Sequence, residues 1–250
     1  MTTIYVGLHF NRLTTIPYRN SGPSCSGKTT LARILRKVFS NSVVIHQDDF
    51  YKPDTEMPTD PDTGLDNWDC PESFDAVKMH QNLQYSREHN GELCSDHPTG
   101  EDSNTHDGST TVSDDFLNQL KEMIPKDVDS EFRLVLVDGI LLYWDPLIYK
   151  EFDCSFFIHA GKDTLKQRRE ARSGYVTQEG YWVDPPGYFD QLVWPQYEKW
   201  NSHLFPNANH SEVKQNDIHD LSIMNSDTEN IEEIAKNAMK ALIGHLQATK

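Results

Sequence analysis

The sequence predicts an α/β protein built on a parallel, doubly wound sheet. Three observations predict it. Short apolar strand candidates alternate with amphipathic helical stretches. A glycine-rich stretch, Gly22-Pro23-Ser24-Cys25-Ser26-Gly27-Lys28-Thr29, fits G-x-x-x-x-G-K-[ST] and runs straight into one of those helices. Carboxylates close two of the strand candidates, on the side where such sheets bind ligands.

A chain of 250 residues accommodates one such domain with a lid. Apolar content of 36% and a mean hydropathy of −0.67 are low, so part of the chain is expected to be loop. A net charge of −16 argues against nucleic acid as a main partner. It leaves room for a nucleotide held by a few local cations. The chain lacks the run of roughly 18 apolar residues that a membrane span needs. Met1-Thr2-Thr3-Ile4 has no basic leader region. Cys25, Cys70, Cys94 and Cys154 have no C-x-x-C spacing, which suits free thiols in the cytoplasm or the nucleus. A monomer or weak dimer is expected.

Taken in order, Ile4-Tyr5-Val6-Gly7-Leu8 reads as the first buried strand. Residues 9–20 then separate it from the glycine-rich loop, which ordinarily follows the first strand directly. Joining Leu8 to Ser21 restores an ordinary junction. Residues 9–20 therefore read as an insertion, either a surface loop or a gene-model error such as a retained intron. A competing reading puts the first strand at residues 13–18, and Pro17 counts against it. Beyond the loop, Leu31, Ile34, Leu35, Val38 and Phe39 recur at helical spacing. Val43-Val44-Ile45-His46 is the second strand, and residues 53–67 are loop. Asp69 with Glu72, and Pro71 in the first turn, predict a helix from 69 to about 88.

Residues 90–112 are polar and predicted disordered. A short helix over 113–123 starts behind a Ser/Asp cap. Leu134-Val135-Leu136-Val137 suits a strand buried on both faces and ends in Asp138-Gly139. Phe156-Phe157-Ile158 is the next strand. A basic helix over 163–172 leads into a loop to residue 187. A helix over 188–204 is interrupted at Pro195, and 205–220 is irregular. The closing helix begins near 227, with Ile231, Ile234, Ala235, Ala238, Leu242 and Leu246 on one face. The whole reads as a single domain with five strands, and residues 168–187 form its lid.

The glycines let successive N–H groups turn inward on an anion. Lys28 then reaches the β- and γ-phosphates, and the Thr29 hydroxyl sits on Mg²⁺. Gly22, Pro23, Ser24, Cys25, Ser26, Gly27, Lys28, Thr29 and Thr30 are thus candidate ATP contacts, with the following helix dipole aimed at the phosphates. A chance match in a Gly/Ser turn is the bland alternative, and the helix behind it counts against that. Asp138 is placed like a Walker-B carboxylate near the metal, or merely ends a strand. Asp48 is placed to accept a hydroxyl proton; alternatively Asp48 and Asp49 cap a turn. Arg168, Arg169 and Arg172 share one basic helix, where Arg168 and Arg172 can converge on one anion. A solvated basic face is the ordinary meaning of such a run; the aromatic, glycine-containing loop after it favours a closing lid. His89, His97 and His106 with Cys94 are too irregularly spaced for a metal site.

Several stretches together resemble the nicotinamide riboside kinases, especially fungal ones, which are phosphate-loop kinases related to uridine kinase. They are residues 21–30, His46-Gln47-Asp48-Asp49-Phe50-Tyr51-Lys52-Pro53, Asn67-Trp68-Asp69, Val137-Asp138-Gly139, Arg168-Arg169-Glu170-Ala171-Arg172 with Gly174-Tyr175, and Trp182-Val183-Asp184-Pro185-Pro186-Gly187-Tyr188-Phe189-Asp190. They run in order from residue 21 to about 205. The resemblance implies a phosphate-loop nucleoside-type kinase fold with a helical lid. It implies transfer from ATP, with Mg²⁺, to the ribose 5′-hydroxyl of nicotinamide riboside, giving the mononucleotide for NAD synthesis. Nicotinic acid riboside is a second candidate substrate.

By the same resemblance Asp48 accepts the proton and joins Thr29 and Asp138 about the metal. Asp69 accepts from the ribose 2′- and 3′-hydroxyls, and Trp68 and Tyr175 flank the pyridinium, a cation that suits aromatic faces. Asp49, Phe50 and Tyr51 line the acceptor site. Arg168 contacts ATP, and Arg169 the acceptor side. Residues 9–20 have no counterpart in the family, residues 90–130 match it loosely, and the adenine loop, expected within 207–213, matches weakly. The alternatives are a uridine/cytidine kinase, or a non-catalytic nucleotide-binding regulator. A GTPase switch is disfavoured, because the guanine-reading N-K-x-D is absent.

Overall fold

The computed structural model describes residues 14–97, 112–125, 132–176, 180–204 and 221–248. Five parallel strands make the sheet: β1 (Thr14–Ser21), β2 (Ser42–His46), β3 (Phe132–Gly139), β4 (Cys154–His159) and β7 (Leu221–Asn225). Their order is β2-β3-β1-β4-β7. The chain winds outward to both sides of β1, so the crevice for a ligand opens at its carboxyl end.

Successive residues of a strand face opposite sides of the sheet, and here both sides are buried. Leu134 and Leu136 of β3, with Phe156 and Ile158 of β4, pack on α1 (Lys28–Val38), α3 (Asp114–Glu122) and α7 (Ile231–Ala248). Val135, Val137 and Phe157 face the other way, onto α2 (Ala76–Glu88), α4 (Pro146–Tyr149) and α6 (Trp194–Asn201). The expected α/β sheet, the helical face of α1 and the apolar stripe of α7 are all present. After β4, α5 (Lys162–Glu170) leads to a small antiparallel hairpin, β5 (Tyr175–Val176) and β6 (Tyr181–Trp182).

The structure corrects several expectations. The strand entering the glycine-rich loop is Thr14–Ser21, most of which falls in the span expected to be an insertion; residues 4–8 lie outside the described residues. Its ladder runs along β3 over residues 14–17 and along β4 over residues 18–21, so Pro17 sits where the pairing passes from one neighbour to the other. Helix α2 starts at Ala76, not at 69. Asp75 is its cap, accepting from Lys78 N at 2.9 Å, which leaves Asp69 for another role. Residues 90–97 pack against the domain through His97, and residues 98–111 lie outside the described residues. By contrast, the helix expected over 188–204 is present, and its interruption is a π-helical turn, Phe189–Val193, just ahead of Pro195 in the first turn of α6. The fifth strand, Leu221–Asn225, falls where the sequence shows an irregular stretch giving way to a helix. Asn230 and Glu233 cap α7 reciprocally, so that helix begins later than expected.

Candidate active site

The loop between β1 and α1 is shaped by close approach. A Cβ on Gly22 would lie 1.8 Å from Ile158 O, so only glycine fits there. Gly27, at φ 102, and Cys25, at φ 65, both take left-handed backbone conformations. Gly27 begins α1 without a side-chain cap, and the helix has no acidic residue in its first turn. Its N–H groups and positive dipole end are thus directed at the loop. Lys28 is buried and donates to Pro23 O at 2.8 Å. Burial pushes its pKa down, and Asp138 and Asp48 oppose that shift. Ser26 Oγ, also buried, makes no hydrogen bond among the described residues.

Two carboxylate-bearing segments meet this loop. Thr29 Oγ1 donates to Asp138 Oδ2 at 2.6 Å. His46 is opposite Asp138 in the β2–β3 register, and its Nδ1 lies 3.4 Å from the same oxygen. Burial works against ionising Asp138, whereas His46 and Lys28 favour its charged form. Asp48 stands in a single 3-10 turn, Gln47–Phe50, just past β2. It opens to the cleft, yet the protein around it displaces much of its hydration. That dehydration, reinforced by Asp138, raises its pKa against the pull of Lys28 and His46. Asp48 is thereby shifted toward its protonated form, while His46 and Lys28 favour the ionised form of Asp138.

Gln47 joins the two carboxylate-bearing loops. Its Oε1 accepts from Ile140 N and Leu141 N at 2.9 Å each, and its Nε2 donates to Leu141 O at 3.2 Å. A Cβ on Gly139 would meet that side chain at 2.6 Å.

An aromatic recess lies beside the phosphate loop. Trp68 meets Tyr51 at 5.3 Å and Trp182 at 5.6 Å between ring centroids. Tyr188 meets Trp182 at 5.7 Å; its hydroxyl accepts from Trp68 N and donates to Asp66 O. Asp69 is 6% exposed. Its Oδ1 faces Arg169 Nη1 at 3.5 Å, while Oδ2, like Trp68 Nε1, has no hydrogen-bond partner among the described residues. Burial raises the Asp69 pKa, and Arg169 opposes it. Tyr51 lies in the fields of both Asp48 and Asp69, so both carboxylates are close to it.

The arginines divide their tasks. Arg168 donates to Ser226 Oγ at 2.9 Å, Ser226 O at 3.0 Å and Cys25 O at 3.4 Å. Arg172 Nη1 lies 4.0 Å from Cys25 Sγ, so the two do converge on the phosphate loop. Arg169 turns the other way, toward Asp69 and Asp184. The guanidiniums of Arg169 and Arg172 lie over the Tyr175 ring, at 5.0 and 4.2 Å. Among the described residues the ring contacts of Trp68 are with Tyr51 and Trp182.

Asp184, Trp182, Tyr188, Gln47, His46 and Ser226 carry this geometry, and residue-by-residue reading gave none of them a role. All but Ser226 lie in the stretches that carry the family resemblance. The expected adenine loop lies outside the described residues.

A parallel sheet, a glycine-rich loop running into a helix, a buried lysine on that loop and a Thr–Asp pair beside it define a phosphate-loop nucleotide-binding protein of the kinase type. No protein-family model matches the chain. It is 41% identical over 188 residues to the nicotinamide riboside kinase of Schizosaccharomyces pombe, covering 75% of this chain and 80% of that one. It is 35% identical over 190 residues to that of Saccharomyces cerevisiae, covering 75% and 78%, and 33% identical over 184 residues to human nicotinamide riboside kinase 1, covering 74% and 75%. The chain belongs to the nicotinamide riboside kinase family.

Proposed function

We propose that the protein transfers the γ-phosphoryl group of ATP to the ribose 5′-hydroxyl of nicotinamide riboside, in NAD biosynthesis. The observation that carries this is the Asp69 carboxylate. It is buried, with one oxygen unpartnered among the described residues, beside Trp68, Trp182 and Tyr188, and, like Asp48, it is close to Tyr51. A cis diol supplies the two donors such a carboxylate lacks. Aromatic faces and an acidic floor favour a pyridinium cation over a neutral base.

The loop fits a nucleotide. The uncapped N-terminus of α1 and the unpartnered Ser26 hydroxyl supply donors, and Lys28 supplies charge. Oxygen donors of Thr29, Asp138 and Asp48 suit Mg²⁺, which takes such hard ligands. When bound, that ion neutralises phosphate charge. Asp48 takes the proton of the attacking hydroxyl, a role its raised pKa supports. Asp69 holds the ribose. Arg168 and Arg172 bring positive charge to the phosphates as residues 168–187 close.

The test is ADP release by the full chain with ATP, Mg²⁺ and nicotinamide riboside, with uridine in parallel. Turnover with nicotinamide riboside well above that with uridine is expected. Turnover with uridine alone would refute the assignment.

A further inference from the structure

A lone turn of 3-10 helix is too short to fix its own side chains, and Asp48 rides on one. Its neighbours are each held from outside. Gln47 is tied to the loop after β3. Phe50 is 1% exposed, and its carbonyl accepts from Asp75 N at 2.8 Å. Asp49 faces His97, whose Nε2 lies 3.9 Å from Asp49 Oδ2, with both side chains under a tenth exposed. The imidazole also stands edge-on to Phe50, with 5.7 Å between centroids. His97 belongs to the polar stretch after α2, so a segment remote in sequence reaches the back of the acceptor site.

The ring is oriented from behind. Asn82 Nδ2 donates to Lys78 O at 3.0 Å, which turns Asn82 Oδ1 toward His97 Nδ1, also at 3.0 Å. A carbonyl oxygen only accepts, so Nδ1 carries the hydrogen and Nε2 is the atom presented to Asp49. The ring therefore abuts Asp49 and Phe50 in one fixed pose.

We propose that His97 is a positioning residue for the phosphoryl acceptor site: held by Asn82, it wedges Asp49 and Phe50 and so sets the turn that carries Asp48. The proposal rests on the assignment of Asp48 and Asp69 to the riboside site. The charged and titratable groups about the ring are Asp49, Asp96, Lys78 and His46. Burial lowers the His97 pKa, His46 and Lys78 lower it further, and Asp96 opposes them. At neutral pH the ring is uncharged and acts by its shape.

The test compares His97→Leu with His97→Gln, whose amide reaches to about where Nε2 stood. His97→Leu should lower kcat with nicotinamide riboside roughly fivefold or more, as misplacing a reacting group does, and leave the KM for ATP within about twofold. His97→Gln should recover part of the loss, with both variants melting close to the wild type. A wild-type kcat in His97→Leu, or a KM for ATP that rises as much as kcat falls, would overturn the proposal. A second measurement needs no substrate. The His97 imidazole is titrated by NMR in the wild-type chain and in Asp49→Asn. A lower His97 pKa in Asp49→Asn is expected, and an unchanged one would overturn the contact. If the wild-type chain fails to phosphorylate nicotinamide riboside, the assignment of function falls, and the NMR comparison still decides whether His97 is set against Asp49.

Discussion

Asp184→Asn isolates the anchor of the arginine that faces Asp69. Arg169 is 7% exposed. Its Nε and Nη2 donate to Asp184 at 2.5 and 3.1 Å, and Trp182 Nε1 donates to the same carboxylate at 2.9 Å. One side chain thus fastens α5 to the β6 strand. Asparagine keeps the shape and an acceptor but removes the charge. Opposite charges about 4 Å apart attract by about 4 kcal/mol at an effective dielectric constant of about 20. Roughly half of that is returned, because a neutral amide costs less to bury than a carboxylate. The net loss of about 2 kcal/mol corresponds to a fall of about 4–8 °C in melting temperature for a chain of this size. Arg169, still charged and buried, then has Asp69 as its remaining carboxylate. Drawn onto Asp69, it competes with the ribose hydroxyls, so the KM for nicotinamide riboside should rise about tenfold, equivalent to about 1.4 kcal/mol. Thermal melts and steady-state kinetics with both substrates read the two effects. A melting temperature within a degree of the wild type, together with an unchanged KM, would show that Asp184 anchors nothing.

Asp48→Asn should lower kcat by about 10²- to 10⁴-fold while ATP still binds, as removal of a general base does; retained turnover would remove Asp48 from the mechanism. Because Asp48 works unprotonated and its pKa is raised above 3.8, wild-type kcat/KM should fall as pH drops through that raised value, at a higher pH than an exposed aspartate would give. Trp68→Ala should raise the KM for nicotinamide riboside more than that for ATP, and equal effects would sink the aromatic recess as the pyridinium site. Deleting residues 9–20 removes Thr14–Asn20, most of the central strand β1, together with the Asn20 bond to Lys28 O. Loss of the cooperative thermal transition and of turnover is expected. A deletion chain that folds and turns over would show that residues 4–8 can replace the strand.

Much of the site is legible because its chemistry is local in sequence. The G-x-x-x-x-G-K-T spacing fixes Lys28 and Thr29 on one helical turn, and an apolar run ending in Asp138 fixes that carboxylate at a strand end. The Thr29–Asp138 contact then follows from β1 and β3 being neighbours. The aromatic recess is less legible. Trp182 and Asp184 act through groups over a hundred residues away or across a hairpin, and no period in the sequence encodes that meeting. Asp69 is ambiguous by its nature: with Glu72 three residues on it reads as a helix cap, and only the true cap at Asp75 frees it for the cleft.

The central strand shows where hydrophobicity misleads. A strand between two parallel neighbours is expected to be apolar. Residues 14–21 instead contain Pro17, Arg19 and Asn20, whereas residues 4–8 have the apolar run. Connectivity decides the matter. Gly22 is pressed so closely on Ile158 that the segment immediately before it enters between β3 and β4. Residues 14–21 arrive there with no loop to close; residues 4–8 could do so only by looping out residues 9–20, at an entropic cost. The buried polar groups at the end of the strand are partly compensated. Ser21 donates to Gly139 O at 3.1 Å, and Asn20 donates to Lys28 O at 2.7 Å. These bonds tie β1 to the Asp138 strand and to the first turn of α1, the two elements whose oxygens are proposed to hold the metal. The strand is thus held at its polar end, beside the phosphate loop, and a search for apolar runs passes over it for that reason.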